Sequence, residues 1–324
     1  MVSSVQLKAL VQSHLERDDD RFVSIALQVA AHEARSGNVK LAQELRDLLT
    51  VAKRKAPRVT HAPSPTSPSE QNASSFLFES QPKNKLPDLI VKADLKLRLE
   101  RVVTEQKFIT KFQPLGLSAR RKLLLVGASG TGKTFTASIL AGELNYPLFQ
   151  VRLEALITHF MGESSSNLRL VFNQINDVRG VYFFDEFDAL GANRYSYNDV
   201  GEARRILNSF LQMLEQDGSN SIIVCATNEI RCLDDALFRR FDDVIRYELP
   251  QDSEISSILI NRLKPYVAAD FAWDRLTEIA RQLSCAEIVR AADESIKDML
   301  INQRKEITFD TVKEAVTERK KMLK

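Results

Sequence analysis

One eight-residue run limits the fold more than anything else in the chain: Gly127-Ala128-Ser129-Gly130-Thr131-Gly132-Lys133-Thr134. It fits G-x-x-x-x-G-K-[ST], and it stands between an apolar run at 122–126 and a helical run at 134–144. The glycines let a backbone wrap a polyphosphate, and the N–H groups opening the next helix supply positive potential. Lys133 is placed to reach β- and γ-phosphates, and the Thr134 hydroxyl to ligate Mg²⁺. The bland alternative is a chance glycine-rich turn. A strand on one side and a helix on the other argue against it.

The same strand-then-helix alternation continues downstream. Short apolar runs at 148–151, 181–184, 222–226 and 244–247 are flanked by helical stretches, as buried parallel strands with crossover helices require. After Pro250 the pattern is wholly helical, at 254–266, 274–283, 286–301 and 310–322. The expected fold is therefore α/β, with a parallel-sheet phosphate-binding core over 86–250 and a helical lid over 251–324. Upstream, apolar residues recur at helical spacing (Leu7, Leu10, Val11; Phe22, Ile25, Val29; Leu41, Leu45, Leu48), which predicts a small all-α module over 1–55. Residues 56–85 hold Pro63-Ser-Pro-Thr-Ser-Pro68 and read as a linker. Within it, the triplet Phe76-Leu77-Phe78 is expected to dock on the core.

The run Val181-Tyr-Phe-Phe-Asp185-Glu186 is an apolar strand ending in two carboxylates. Such a pair is ordinarily a solvated strand end. Downstream of an intact phosphate loop, Asp185 is placed to hold the Mg²⁺ shell and Glu186 to polarise an attacking water. An adjacent glutamate points to hydrolysis rather than nucleotide binding alone.

With these motifs in hand, residues 86–324 resemble the AAA ATPases. The resemblance implies ATP and Mg²⁺ as ligands and a homo-oligomeric ring, a hexamer. It makes Asn228, in Ala-Thr-Asn, the polar sensor that positions the attacking water. Within Leu233-Asp-Asp-Ala-Leu-Phe-Arg239-Arg240-Phe241-Asp242 it makes Arg239 and Arg240 fingers reaching the next subunit's nucleotide. Phe160-Met161-Gly162, flanked by Glu163-Ser164, is similar to a pore loop that grips extended polypeptide, and a buried Phe in a helical turn is the alternative. The 201–208 stretch, with Arg204, Arg205 and Asn208, resembles a helix that couples neighbouring subunits, or is a solvated face. Adenine contacts by family position fall on Asp88, Leu89, Ile90, Ile258 and Ala286. Two departures stand out. Ser284-Cys285-Ala286-Glu287 replaces a family glycine with Cys285, and the arginine pair is contiguous, as in severing-type members.

The core is most similar to that of the AAA metalloproteases, yet His32-Glu33-Ala34-Arg35-Ser36 fails H-E-x-x-H at its fifth position. The overall layout resembles the ATPase member of bacterial gene pairs that encode an AAA ATPase beside a subtilisin-like protease, associated with plasmid exclusion and phage defence. A protein substrate and a separate protease are the partners so implied. The competing class is a nucleic-acid motor or switch, and a severing-type ATPase is a third reading. With 45 basic against 43 acidic residues and no DNA-reading motif, nucleic acid is disfavoured. No apolar run approaches the roughly 20 residues of a membrane span. The three cysteines, Cys225, Cys232 and Cys285, lack metal-like spacing. A cytoplasmic setting is the expectation.

Overall fold

Strands that carry apolar residues on both faces must be covered on both faces, and the structure meets that demand. The computed structural model describes residues 75–156, 163–190, 200–229 and 235–322. The expected N-terminal module, the start of the linker, Cys232 and the Phe160-Met161-Gly162 triplet lie outside the described residues. Six strands, β1 (Leu77–Ser80), β2 (Lys122–Gly127), β3 (Leu148–Val151), β4 (Val181–Phe184), β5 (Ile222–Thr227) and β6 (Asp243–Tyr247), form one sheet in the order β1-β3-β4-β5-β2-β6. The neighbours β3–β4, β4–β5, β5–β2 and β2–β6 all run parallel.

Alternation along each strand sorts the side chains into two layers. Leu124, Val126, Tyr182, Phe184, Ile223 and Cys225 pack against α3 (Glu163–Asp177) and α4 (Val200–Gln216). Leu123, Leu125, Val181, Phe183, Ile222 and Val224 pack against α1 (Ala93–Lys107) and α2 (Lys133–Leu144). In the first layer Phe210 sits at the centre of an aromatic cluster, 5.5 Å from Phe172, 5.0 Å from Phe184 and 4.9 Å from Phe187, ring centre to ring centre.

One strand lies where a linker was expected. Leu77–Ser80 pairs antiparallel with β3, Leu77 opposite Val151, and becomes the edge of the sheet. Phe76 and Leu77 pack on the core, whereas Phe78 is 63% exposed. Only part of the triplet docks, because alternation sends Phe78 to the other face. The linker reading therefore does not extend to residue 85.

The lid has its own core. Helices α5 (Asp252–Leu263), α6 (Trp273–Ala280), α7 (Cys285–Ile301) and α8 (Phe309–Met322) bury Ile255, Leu259, Leu276, Ile288, Val312 and Val316 among themselves. α5 opens on a reciprocal cap in which Gln251 N–H donates to Glu254 at 2.7 Å. α7 opens on Ser284, whose hydroxyl accepts from Glu287 N–H at 3.3 Å. Among the described residues, no helix is long and apolar enough to cross a membrane.

Candidate functional site

Parallel strands leave a crevice beyond their carboxyl ends, and here the lid closes over it. The crevice is a cleft of about 950 Å³. It gathers Ser129, Gly130, Thr131, Gly132, Lys133 and Thr134 from the loop after β2, with Asp185 and Glu186 after β4 and Asn228 after β5. Asp88, Leu89 and Ile90 line it from the approach to α1, and Ile258 and Ala286 from the lid. Gly127 and Ala128 do not line it. Their carbonyls accept from Lys133 Nζ instead, at 2.7 and 2.9 Å.

The loop's glycines answer local demands. Gly132 has φ of 106° immediately before α2, a conformation that L side chains avoid. Gly130 has φ of 77°, and a Cβ there would stand 2.4 Å from Ser284 Oγ. That approach brings the lid onto the loop: Ala286 N–H donates to Gly130 O at 2.9 Å. Cys285 does not keep the lid amide from reaching the loop. Its half-buried thiol lines the cleft, and burial pushes its pKa up to about 11.

Lys133 is buried, and its third bond is to Asn228 Oδ1 at 2.9 Å. Burial pulls its ammonium below the ordinary lysine value, while Asp185 and then Asp188 pull it back up. The Thr134 hydroxyl donates to Asp185 Oδ2 at 3.0 Å, so the two expected metal ligands are adjacent. A hydroxyl and a carboxylate facing an open cleft suit Mg²⁺, a hard cation that keeps several waters and takes substrate phosphates. No cluster of three or more His, Cys, Asp or Glu metal ligands occurs among the described residues. Glu186 is exposed and carries a left-handed backbone, φ 50°, with its N–H donating to Asp185 Oδ1 at 2.9 Å.

Arg239 and Arg240 are not brought to this cleft. They follow the single helical turn Asp235–Phe238 and precede β6, whose first residue lies opposite Leu123. Asp242 N–H donates to Lys122 O at 2.8 Å, and the Asp242 carboxylate accepts from Arg121 and Lys122 N–H, both at 2.9 Å. The pair therefore belongs to the amino end of the sheet. The phosphate loop stands at the other end of β2, about 17 Å away at roughly 3.3 Å per residue. Arg240 forms an ion pair with Glu215 in α4.

Several cleft residues escaped the sequence reading. Asn261 and Arg262 stand three and four residues after Ile258 in α5, Val289 and Arg290 three and four after Ala286 in α7, and Asn84 and Pro87 come from the approach to α1. That i, i+3, i+4 spacing from Ile258 and from Ala286 could have marked the first four as extending the same helix faces. Asp188, two residues beyond Glu186, is buried and bonded to the end of β5. A third acid in Asp185-Glu-Phe-Asp188 was the available signal.

Comparison with known proteins agrees with this geometry. The description "ATPase family associated with various cellular activities (AAA)" matches residues 123–249. An uncharacterized AAA family ATPase, y4kL, of Sinorhizobium fredii is 33% identical over 301 residues, which is 93% of this chain and 90% of that protein. The ATP-dependent zinc metalloprotease FtsH of Mesoplasma florum is 32% identical over 227 residues, 68% of this chain but 35% of that protein. A putative 26S proteasome regulatory subunit homolog of Methanothermobacter thermautotrophicus is 27% identical over 242 residues, 72% of this chain and 64% of that protein. The chain thus spans nearly all of y4kL and about a third of FtsH. A glycine loop that opens a helix, an acid pair at the end of β4 and a likeness running almost end to end with y4kL place the chain in the AAA family of ATPases, enzymes that hydrolyse ATP.

Proposed function

We propose that the chain works as a hexameric ring whose nucleotide sites are each completed by the neighbouring copy, and that it uses ATP to remodel a protein substrate. The observation that carries the ring is the separation of the arginine pair from the chain's own phosphate loop by the length of β2. Within one chain Arg239 and Arg240 have no route to the γ-phosphate. A neighbour that presents its amino edge to this cleft would supply them.

In this reading the loop amides and Lys133 hold the β- and γ-phosphates. Thr134 and Asp185 would hold Mg²⁺, which when bound helps neutralise charge on the phosphates. Glu186 takes a proton from water as its oxygen attacks the γ-phosphorus, and Asn228 orients that water. The neighbour's arginines stabilise the charge that builds on the transferred phosphoryl group. ADP and inorganic phosphate leave.

Mixing tests the shared site. Lys133→Ala chains should fail to bind ATP, and Arg239→Ala chains should bind it and hydrolyse poorly. Combined, they should recover part of the activity, because some interfaces regain both a bound ATP and an intact arginine. Full turnover by a monomer on dilution would overturn the ring.

Protein remodelling is supported by the relatives whose names specify proteolysis or the proteasome. It is supported too by the Phe160-Met161-Gly162 segment. The sequence contains no H-E-x-x-H and so does not carry that zinc-protease motif, and the protease in this proposal is a separate protein. Phe160→Ala should leave ATP hydrolysis and the melting temperature unchanged and abolish unfolding of a protein substrate. A grip surface forfeits roughly 2–3 kcal/mol of contact when an aromatic ring is removed. A clearly lowered melting temperature would return Phe160 to the core and remove the grip.

A further inference from the structure

We propose that Asp188 is a positioning residue that ties the turn carrying Glu186 to the strand end carrying Asn228, and so sets the two water-handling groups relative to each other. The inference rests on the roles assigned to Glu186 and Asn228 above.

The need for a tie comes from where the strand ladder stops. The last paired residues of β4 and β5 are Phe184 and Cys225. Beyond them, Asp185-Glu186 on one side and Ala226-Thr227-Asn228 on the other lie past the β4–β5 ladder. Asp188 spans the gap with one oxygen. Its Oδ1 lies 3.1 Å from the Thr227 hydroxyl and accepts from Asn228 N–H at 3.4 Å. The Thr227 hydroxyl oxygen accepts in turn from Glu229 N–H at 3.1 Å, which fixes the chain on the far side of Asn228.

Burial gives the tie its strength. Asp188 is 9% exposed and Thr227 fully buried, so water competes weakly for these bonds. Glu186 is then held from both sides. Before it, Asp185 Oδ1 accepts the Glu186 N–H at 2.9 Å. After it, Phe187 is fully buried against Phe210, and Asp188 is pinned to β5. The left-handed backbone at Glu186 needs such over-determination to persist. Packing alone would be served as well by an apolar residue at 188. A carboxylate, which burial penalises, is repaid by reaching two donors, the Thr227 hydroxyl and the sensor residue's own N–H.

The test uses the full chain and reads ATPase kcat and KM, nucleotide affinity and melting temperature. Asp188→Ala should lower kcat by roughly 10-fold or more with KM and affinity within about 3-fold, as expected when reacting groups are misplaced by a fraction of an ångström. Asp188→Asn keeps an oxygen acceptor at the same place and should restore kcat to within about 3-fold of the parent. Thr227→Val removes the strongest donor without changing shape, and should reproduce the Asp188→Ala loss. The Asp188→Ala/Thr227→Val double variant should be no slower than the worse single one. Unchanged kcat in Asp188→Ala or Thr227→Val, an Asn variant as slow as the Ala variant, or losses that multiply would each overturn the tie. If Asp188→Ala does not fold, a slow Thr227→Val beside a fast Asp188→Asn still supports it, and a fast Thr227→Val still overturns it. Glu186→Gln separates the two failures. Normal turnover in that variant removes the site reading itself, whereas a dead Glu186→Gln with a normal Asp188→Ala removes only the tie.

Discussion

At the carboxyl end of the sheet, polar side chains face an open cleft. At the amino end, most are spent on one another. Arg121 pairs with Asp217, whose carboxylate is fully buried, and Arg98 and Arg120 converge on Asp243. These pairs join the approach to β2, the end of α4 and the start of β6, so they hold strands together. Across the sheet, Thr134, Glu186 and Asn228 line the cleft, Thr134 bonded to Asp185 and Asn228 to Lys133 within it. The exception is the arginine pair. Arg239 makes no ion pair among the described residues, and Arg240 has only the exposed Glu215. An amino end built of neutralised charge, with two arginines left near its surface, fits a face that meets another nucleotide site.

The comparison can be broken most severely at Arg121. Arg121→Ala would leave the Asp217 carboxylate buried and unpaired, which should cost about 3–5 kcal/mol of folding stability. Denaturant titration would show it, with nucleotide affinity of the folded fraction unchanged. A stable Arg121→Ala protein with impaired ATP binding would mean the two ends are not chemically separate. Glu186→Gln is the opposite probe. It should reduce turnover by roughly 10²-fold or more, equivalent to about 2.7 kcal/mol of barrier, with ATP binding and melting temperature intact. Near-normal hydrolysis would dismiss Glu186 as the base.

The smallest effect concerns Cys285, which sits where lid and cleft meet. Its thiol is raised to about 11 by burial, so below that pH the folded chain keeps the proton that an unfolded chain has largely released above pH 9. At pH 8 alkylation of Cys285 should therefore run roughly 100-fold slower than for a free thiol, and should quicken steeply toward pH 10. Peptide mass analysis reads the rate at that one residue. Labelling at pH 8 as fast as a small thiol would show that the lid does not bury it.

Much of this architecture was legible because it is written in local pattern. Five apolar runs became five strands, with ends shifted by a residue where Thr227 and Asp243 extend the ladder. The phosphate loop was legible because its work is done by backbone, which fixes glycines at set intervals. β1 was not, since four residues with an exposed Phe78 beside a Pro/Ser-rich stretch carry no strand period long enough to notice. Asp188 was missed, and the loop partner of Ser284 went unseen, for another reason. Each matters through a residue distant in sequence, Thr227 for one and Gly130 for the other, and only folding makes those pairs. Position after the sensor strand marked Arg239 and Arg240, but nothing in the sequence placed Glu215 beside Arg240.

The bond from Ala286 N–H to Gly130 O gives the lid the mechanics of a lever. Its pivot lies on the phosphate loop, at the first turn of α7, and the arm is the helix itself, which runs on to Ile301. At 1.5 Å per residue that arm is about 24 Å long, so a tilt of ~10° about the pivot sweeps its tip through roughly 4 Å. Leu300 and Ile301 stand exposed at that tip. An adjustment at the pivot too small to disturb a phosphate contact is thus magnified at the far surface to nearly the width of a side chain.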